Sequence, residues 1–190
     1  GAGPGDLVIA VCCTDDASAD AALEIASTLL EARSPAREGD GPGAPRSLSG
    51  ALASQPDANL VLVSTPGAFA AREARAALGQ GLNVMVFSDN VSLEEEIELK
   101  TQAHAAGLLV MGPDCGTAYL AGVPIAFANA VRQGDVGIVA ASGTGLQEVS
   151  VQLHNAGLGL SHGIGVGGRD LSDDVGGIST LDAIDLLDAD

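Results

Sequence analysis

The sequence predicts an α/β protein: parallel strands with helices on both faces. Three observations carry that expectation. Short apolar runs recur at long spacing, at Leu7–Cys12, Asn59–Ser64, Asn83–Phe87 and Leu108–Met111, and again after Asp135. Each is followed by a segment of helical character. The runs are apolar throughout and do not alternate, which is the pattern of strands covered on both faces. Right-handed crossovers follow from that order.

Each element has its own signal. Leu7–Cys12 stops at Thr14-Asp15-Asp16, and Ala17–Ala32 then reads as helix, with Leu23, Ile25, Leu29 and Leu30 for a core. Ser34–Ser47 is rich in Pro, Gly and Arg and is expected to be a loop. A short helix, Leu48–Gln55, precedes the strand Asn59–Ser64, which Thr65-Pro66-Gly67 breaks before a helix over Ala68–Leu78. Strand Asn83–Phe87 runs into Ser88-Asp89-Asn90. The next helix begins at Ser92, where Ser92 and Glu95 have capping-box spacing and Glu96 and Lys100 form an i,i+4 pair. Gly107 ends that helix and Leu108–Met111 is the next strand.

Thr117–Arg132 reads as an extended connection or small hairpin leading to a linker at Gln133-Gly134. A second α/β unit starts at Asp135. Its helix is expected at Thr144–Ala156, its second strand at Leu160–Val166, and a last helix from Thr180 to about Leu187. The expected organisation is therefore a first domain over residues 1–130 and a second over 131–190. Two strands are too few for an independent parallel sheet. The second domain is expected to be incomplete, or to be completed by a partner.

Composition narrows the partners. Net charge is −17, from 8 basic and 25 acidic residues, and Lys100 is the sole lysine. That field repels nucleic acid and anionic membranes, so neither is expected as a partner. Aromatics make up only 2% of the chain, too few for base-stacking platforms. Cys12, Cys13 and Cys115 make no disulfide framework, and there is neither a signal-peptide pattern nor a membrane-length apolar run, so a cytoplasmic location is expected. A bound phosphate would have to be held by backbone amides, one of the few arginines, a metal or another chain.

The chemistry concentrates where the apolar run after Asp135 meets Ser142-Gly143-Thr144-Gly145. The first turn of a helix leaves amides unpaired at the positive end of its dipole, and glycine lets an anion come close. Thr144 and Gln147 have capping-box spacing. An ordinary strand-to-helix turn would read the same way. In parallel sheets ligands bind beyond the carboxyl ends of the strands. Those ends are Thr14–Asp16, Ser64–Gly67, Ser88–Asn90 and Gly112–Gly116, all small and polar.

Several motifs in order identify a resemblance. G-P-D-C-G at Gly112–Gly116, then G-D-V-G-I-V-A-A-S-G-T-G, then G-I-G-V-G-G-R-D resemble the α subunit of succinyl-CoA synthetase. The phrases N-V-M-V-F-S-D-N-V-S-L-E-E-E-I-E-L-K, G-L-L-V-M-G-P-D-C-G-T-A and G-G-R-D-L-S-D-D-V-G-G-I-S look like the FdrA family of acyl-CoA-synthetase-like proteins, over about residues 55–190. The resemblance implies a Rossmann-like CoA-binding-type domain followed by a partial flavodoxin-like, succinyl-CoA-synthetase-type domain. It implies phosphate at Ser142, Gly143, Thr144 and Gly145, and CoA contacts at Ser64, Thr65, Pro66, Ser88, Asp89 and Asn90, with Pro113 and Asp114 at the next loop.

Two departures stand out. The synthetase has a Gly-rich turn after its first strand where this chain has Cys13-Thr14-Asp15-Asp16, whose aspartates would repel the CoA pyrophosphate. No residue matches the synthetase's phosphorylated histidine. FdrA-type proteins are also similar to subunits of an oxamate carbamoyltransferase. The expected substrate is thus an acyl or carbamoyl phosphate, handled by one subunit of a ligase or transferase that forms a homo-oligomer or joins a partner subunit. The alternative is a non-catalytic subunit that binds CoA or a nucleotide.

Individual side chains add little. His104 and His154 read as ordinary helix residues, His162 as a structural strand residue and Cys115 as a structural thiol. No metal site is expected, and no catalytic residue is assigned. Arg169, after Gly167-Gly168, could hold a phosphate or carboxylate bidentately, or pair with Asp170, Asp173 or Asp174.

Overall fold

The computed structural model describes residues 3, 7–31 and 45–189, which fall into two compact units, Gly1–Ser47 and Leu48–Asp190. The first unit holds helix α1 (Asp16–Glu31). Asp15 caps it, its Oδ1 accepting from the Ser18 amide at 2.8 Å. That hydrogen bond holds the Asp15 carboxyl below the ordinary carboxylate range. The expected strand Leu7–Cys12 is absent: the run has no strand structure, and Leu7 and Val8 are 69% and 70% exposed. Its apolar composition supplies the burial tendency of a strand, but strand backbone needs a paired neighbour, and this unit has no other strand among the described residues. Residues 34–44 of the expected Ser34–Ser47 loop lie outside the described residues.

The second unit contains two sheets. After α2 (Leu48–Ser54), strands β1 (Leu60–Val63), β2 (Asn83–Val86) and β3 (Val110–Met111) form a parallel sheet in the order β1-β2-β3. Helices α3 (Gly67–Leu78) and α4 (Leu93–Ala105) make the crossovers. Period-two alternation divides the strand side chains between two cores. Val63, Val84, Val86 and Val110 pack with Ala70, Ala74 and Ala77 of α3 and Leu99 and Ala103 of α4. Alanines on α3 leave no bulk between helix and sheet, so the two lie close. The α4 start is the expected capping box: Glu95 N donates to Ser92 Oγ and Ser92 N to Glu95 Oε2, each at 3.3 Å.

The second sheet has the order β5-β4-β7-β6, from β4 (Thr117–Leu120), β5 (Val123–Ala126), β6 (Gln133–Ala140) and β7 (Leu160–Gly165). β6 and β7 are parallel, while β4 and β5 form an antiparallel hairpin that adds to β7. The expectation that the second unit has too few strands is corrected here: residues 117–126, on the other side of the expected 130/131 boundary, supply the missing two. Tyr119, Leu146 and Leu160 fill the core under α5 (Gly143–Asn155). Tyr119 is fully buried, with its hydroxyl 2.8 Å from Ser150 Oγ and accepting from the Asn129 amide at 3.0 Å.

The opposite face of this sheet meets the first one. Met85, Leu109 and Met111 pack with Cys115, Ala118, Ile164 and Val166, and with Ala183 and Leu187 of α6 (Ile178–Asp188). The layers run α3/α4, first sheet, shared core with α6, second sheet, α5.

One polar cluster crosses between the sheets. Lys100 Nζ is wholly buried and donates to Glu96 Oε1 at 2.8 Å, Asp170 Oδ1 at 2.7 Å and the Val166 carbonyl at 2.9 Å. Its three protons thus have three acceptors. Asp170 also accepts from the Ser179 amide and, through Oδ2, from the Thr180 amide and hydroxyl. Burial pushes the Asp170 carboxyl up, but the hydrogen bonds from Lys100 and Thr180 outweigh it and leave it below its ordinary value. The i,i+4 pair expected from the spacing of Glu96 and Lys100 is therefore the centre of a buried network.

Lys100→Met removes the buried ammonium shared by two buried carboxylates, Glu96 and Asp170, and is expected to cost about 3–5 kcal/mol in urea unfolding. Arg75→Ala, which breaks the half-exposed bidentate pair with Glu98, is expected to cost less than about 1 kcal/mol. Because the Asp170 carboxyl is depressed on folding, its stabilisation is complete above the ordinary value of 3.8 and is lost as pH falls through the folded value. The urea midpoint is expected to drop below about pH 4, and to drop less steeply in Lys100→Met.

Candidate functional site

The carboxyl ends of β1, β2, β3, β6 and β7 open onto one cleft of about 840 Å³, within the range of small-ligand sites. Each wall has a local cause. After β1, Pro66 ends the strand and Gly67 starts α3, which brings Ser64, Thr65 and Pro66 to the cleft. Only glycine fits at position 67: a Cβ there would run into the Asp89 carbonyl and lie 2.7 Å from the Asn90 carbonyl oxygen. That close approach joins the β1 loop to the β2 loop, which contributes Phe87, Ser88 and Asp89. Ser88 Oγ donates to the Thr65 carbonyl at 2.5 Å, a second tie between the same loops. Asp114, Gly116 and Thr117 follow β3, and Gly168 follows β7.

The opposite wall is the β6–α5 junction: Ala141, Ser142, Gly143, Thr144 and Gln147. The cap is Ser142, not Thr144 as the spacing predicts: Ser142 Oγ accepts from the Gly145 amide at 3.1 Å. Gln147 is drawn elsewhere, donating to Thr117 Oγ1 at 3.1 Å and the Phe127 carbonyl at 2.8 Å, which fastens α5 to the hairpin. The amides of Gly143 and Thr144 belong to the first helical turn, and among the described residues no acceptor is bonded to them. Thr65 Oγ1 is also buried without a hydrogen-bond partner.

The lining has carboxylates at Asp89 and Asp114 and no Lys, Arg or His. Positive potential there comes from the start of α5 and not from side chains. Phe87 and Phe127 supply an apolar patch, their rings edge to face with centroids 5.1 Å apart.

The structure brings together Ser64, Thr65, Pro66, Ser88, Asp89, Asp114, Ser142, Gly143 and Thr144 from the sequence-predicted set. Gly145 stands one residue behind, its amide spent on the cap. Asn90 and Pro113 act through backbone, Asn90 against Gly67 and the Pro113 carbonyl against Gly167. Arg169 does not line the cleft. Its Nε donates to Glu96 Oε2 and its Nη2 to the Val91 carbonyl, each at 2.8 Å. Its ion-pair partner is thus Glu96, a residue the sequence did not suggest, because it lies 73 positions away.

Phe87, Thr117, Phe127 and Gln147 line the site and were missed by the sequence reading. The signal for Phe127 lay in the scarcity of phenylalanine, and both it and Thr117 belong to a hairpin region whose docking onto β7 is not visible in sequence. Cys115 is buried beside the site, and burial pushes its thiol up to about 11, so it offers no thiolate. His104 pairs with Asp182, Nδ1 to Oδ1 at 2.7 Å, and His154 Nδ1 accepts from the Arg132 amide at 2.9 Å. Both are structural contacts. Among the described residues, no three His, Cys, Asp or Glu side chains are grouped to hold a metal.

Gly67→Ala is expected to separate the β1 and β2 loops and to destabilise the fold by about 1–3 kcal/mol. At Gly143 an added Cβ would meet nothing closer than Thr117 Oγ1 at 3.4 Å, so Gly143→Ala is expected to keep the wild-type melting temperature to within a few degrees. Parallel thermal melts of the two variants check both.

Comparison with known proteins places this geometry. No family model matches the sequence. YahF, an uncharacterized protein of Escherichia coli K12, is 59% identical over 135 residues, which are 71% of this chain and 26% of YahF. The succinate–CoA ligase subunit alpha 2 of Archaeoglobus fulgidus is 30% identical over 119 residues, 59% of this chain and 40% of that subunit. The chain therefore spans well under half the length of these curated relatives. ATP citrate lyase from Methanothrix soehngenii, solved with citrate and coenzyme A, aligns at TM-score 0.65 and 21% identity over 76% of this chain and 25% of that one. At that identity the likeness is one of fold. No described helix is long and apolar enough to cross a membrane. The fold is the mixed α/β arrangement of succinyl-CoA-synthetase-type domains, and over the matched residues the chain is distantly homologous to succinate–CoA ligase α subunits.

Proposed function

We propose that this chain is an FdrA-type part of an acyl-CoA-ligase-like or carbamoyltransferase enzyme, and that its cleft holds an acyl or carbamoyl phosphate. The observation that carries this reading is the meeting of the free α5 amides with the Ser64–Pro66, Ser88–Asp89 and Asp114 loops in one cleft without basic side chains. The resemblance of the chain's motifs to the FdrA family supports the family assignment. The CoA-binding-type and synthetase-type domains expected at residues 1–130 and 131–190 would then meet ahead of the hairpin at 117–126, which joins the second sheet.

In this reading the Gly143 and Thr144 amides take the phosphate, with the Ser142 and Thr144 hydroxyls beside it. Preorganised donors of this kind stabilise charge that develops on oxygen during transfer without reorganising. Asp89 and Asp114 then decide what the phosphate carries. A second carboxylate, as on a succinyl group, would face two negative charges, whereas a carbamoyl group is neutral and presents N–H donors to them. The Thr65 hydroxyl and the edge of the Phe87–Phe127 pair complete the small-group side of the cleft. The acceptor, and any partner subunit, would approach from outside these residues.

CoA is carried by the relatives' names and not by a preserved site. At the start of α1 the Asp15 carboxylate occupies the place where an anion would sit. A CoA-binding regulatory subunit is therefore the second reading.

Isothermal titration with carbamoyl phosphate, inorganic phosphate and CoA separates the two. Saturable binding of carbamoyl phosphate or phosphate is expected, weakened roughly tenfold or more in Gly143→Asp by the charge placed against the anion. Gly143→Ala, the steric control, is expected to bind like wild type. Binding of CoA alone would select the regulatory reading, and unchanged phosphate affinity in Gly143→Asp would move the anion elsewhere.

A further inference from the structure

Arg169 stands beside the cleft loops, and its contacts cross from one sheet's loops to the other's. It follows Gly168, which lines the cleft on the β7 side. Its Nη2 donates to the carbonyl of Val91, two residues after Asp89, which lines the cleft on the β2 side. Its Nε donates to Glu96 Oε2, and that carboxylate is fixed in turn by Lys100 on Oε1. The carboxylate acceptor is therefore held in place: Glu96 and its donor Lys100 are 1% exposed, while the Arg169 side chain is 47% exposed. Arg169 is the hydrated, outermost member of an otherwise dry network.

We propose that Arg169 is a positioning residue that latches the two lips of the cleft, and not a ligand of the anion. This rests, for its effect on binding, on the phosphate reading above. The guanidinium presents two N–H groups at a fixed angle, one to a carboxylate and one to a carbonyl, and this sets the distance between the Ser88–Val91 and Gly167–Arg169 segments. Lysine carries the same charge but cannot make both bonds in that plane. A second, uncharged fastening lies next to it. Gly167, at φ 88°, brings its backbone so near the Pro113 carbonyl that a Cβ would stand 2.6 Å from that oxygen. The β7 loop is thus held by backbone contact on one side and by the arginine on the other. Losing the arginine frees one side only, so the fold persists while the cleft loosens. An anion ligand in the same position would have to draw Arg169 away from Glu96 and leave that buried carboxylate with Lys100 alone.

The test compares Arg169→Met and Arg169→Lys in the full chain, by titration with inorganic phosphate and by amide hydrogen exchange. A latch predicts that both variants lose phosphate affinity by the same factor, about three- to tenfold. It also predicts that the Ser88–Val91 and Gly167–Arg169 amides exchange faster together, with α4 protection unchanged. Wild-type affinity in Arg169→Lys, with at least tenfold loss in Arg169→Met and unaltered exchange, would make Arg169 a direct ligand and overturn the latch. Should the wild-type chain bind no phosphate, the functional reading fails. The exchange measurement still decides the latch, which is overturned if neither segment responds in Arg169→Met.

Discussion

A single buried ammonium organises this molecule. Lys100 sits on a helix of the first sheet, yet two of its three acceptors, Asp170 and the Val166 carbonyl, belong to the loop after β7 of the second. Taking that charge out of water costs several kcal/mol, and the cost is offset only where every proton and every facing lone pair is used. The requirement runs outward. Asp170 fixes the start of α6 through Ser179 and Thr180, and Glu96 fixes Arg169. A well-packed apolar replacement could give equal stability, so the network's role is better seen in geometry than in energy. It permits one placement of the two sheets, and the cleft exists only in that placement.

The cleft's electrostatics follow from the same economy of cations. With 8 basic residues against 25 acidic ones, the chain has few positive side chains to spend on a ligand. Lys100 and Arg169 are both engaged with carboxylates at the cleft's margin. What remains for an anion is backbone, and the start of α5 offers two amides that the Ser142 cap leaves unused. Such a site is local and short-ranged. It can hold a phosphate against an unfavourable global field because the amides act at hydrogen-bond distance, where the field of distant surface charges is screened.

Much of the fold was legible in the sequence because its signals are local. The capping box at Ser92, the break at Thr65-Pro66-Gly67 and the apolar runs at Asn59–Ser64, Asn83–Phe87 and Leu108–Met111 each specify their element within a few residues, and all appear. The failures share the opposite character. Leu7–Cys12 has strand composition, but a strand depends on a neighbour that local sequence does not name. The hairpin at Thr117–Ala126 was seen as a possible pair of strands, but its docking on β7 is a contact across some forty residues. At the site, Ser142, Gly143 and Thr144 could be found because a helix start is written locally. Phe127 reaches the cleft only because the hairpin folds back, and Arg169 was assigned to the wrong partner because Glu96 is distant in sequence.

The Gly-Gly-Arg-Asp segment brings these threads together. In sequence it resembles an anion-binding motif, glycines followed by a cation, and Arg169 is the natural choice of ligand. In the structure Gly167 serves a backbone approach to Pro113, Gly168 lines the cleft, the arginine serves Glu96 and Val91, and the aspartate serves Lys100. Every polar member of the motif is turned toward the other sheet and none toward the cleft. Placing a ligand on Arg169 would leave Glu96 with Lys100 alone and weaken the ion network that crosses between the sheets. The motif is therefore better understood as the clasp between the two α/β layers, and the anion site we propose belongs to the neighbouring helix start that the clasp holds in place.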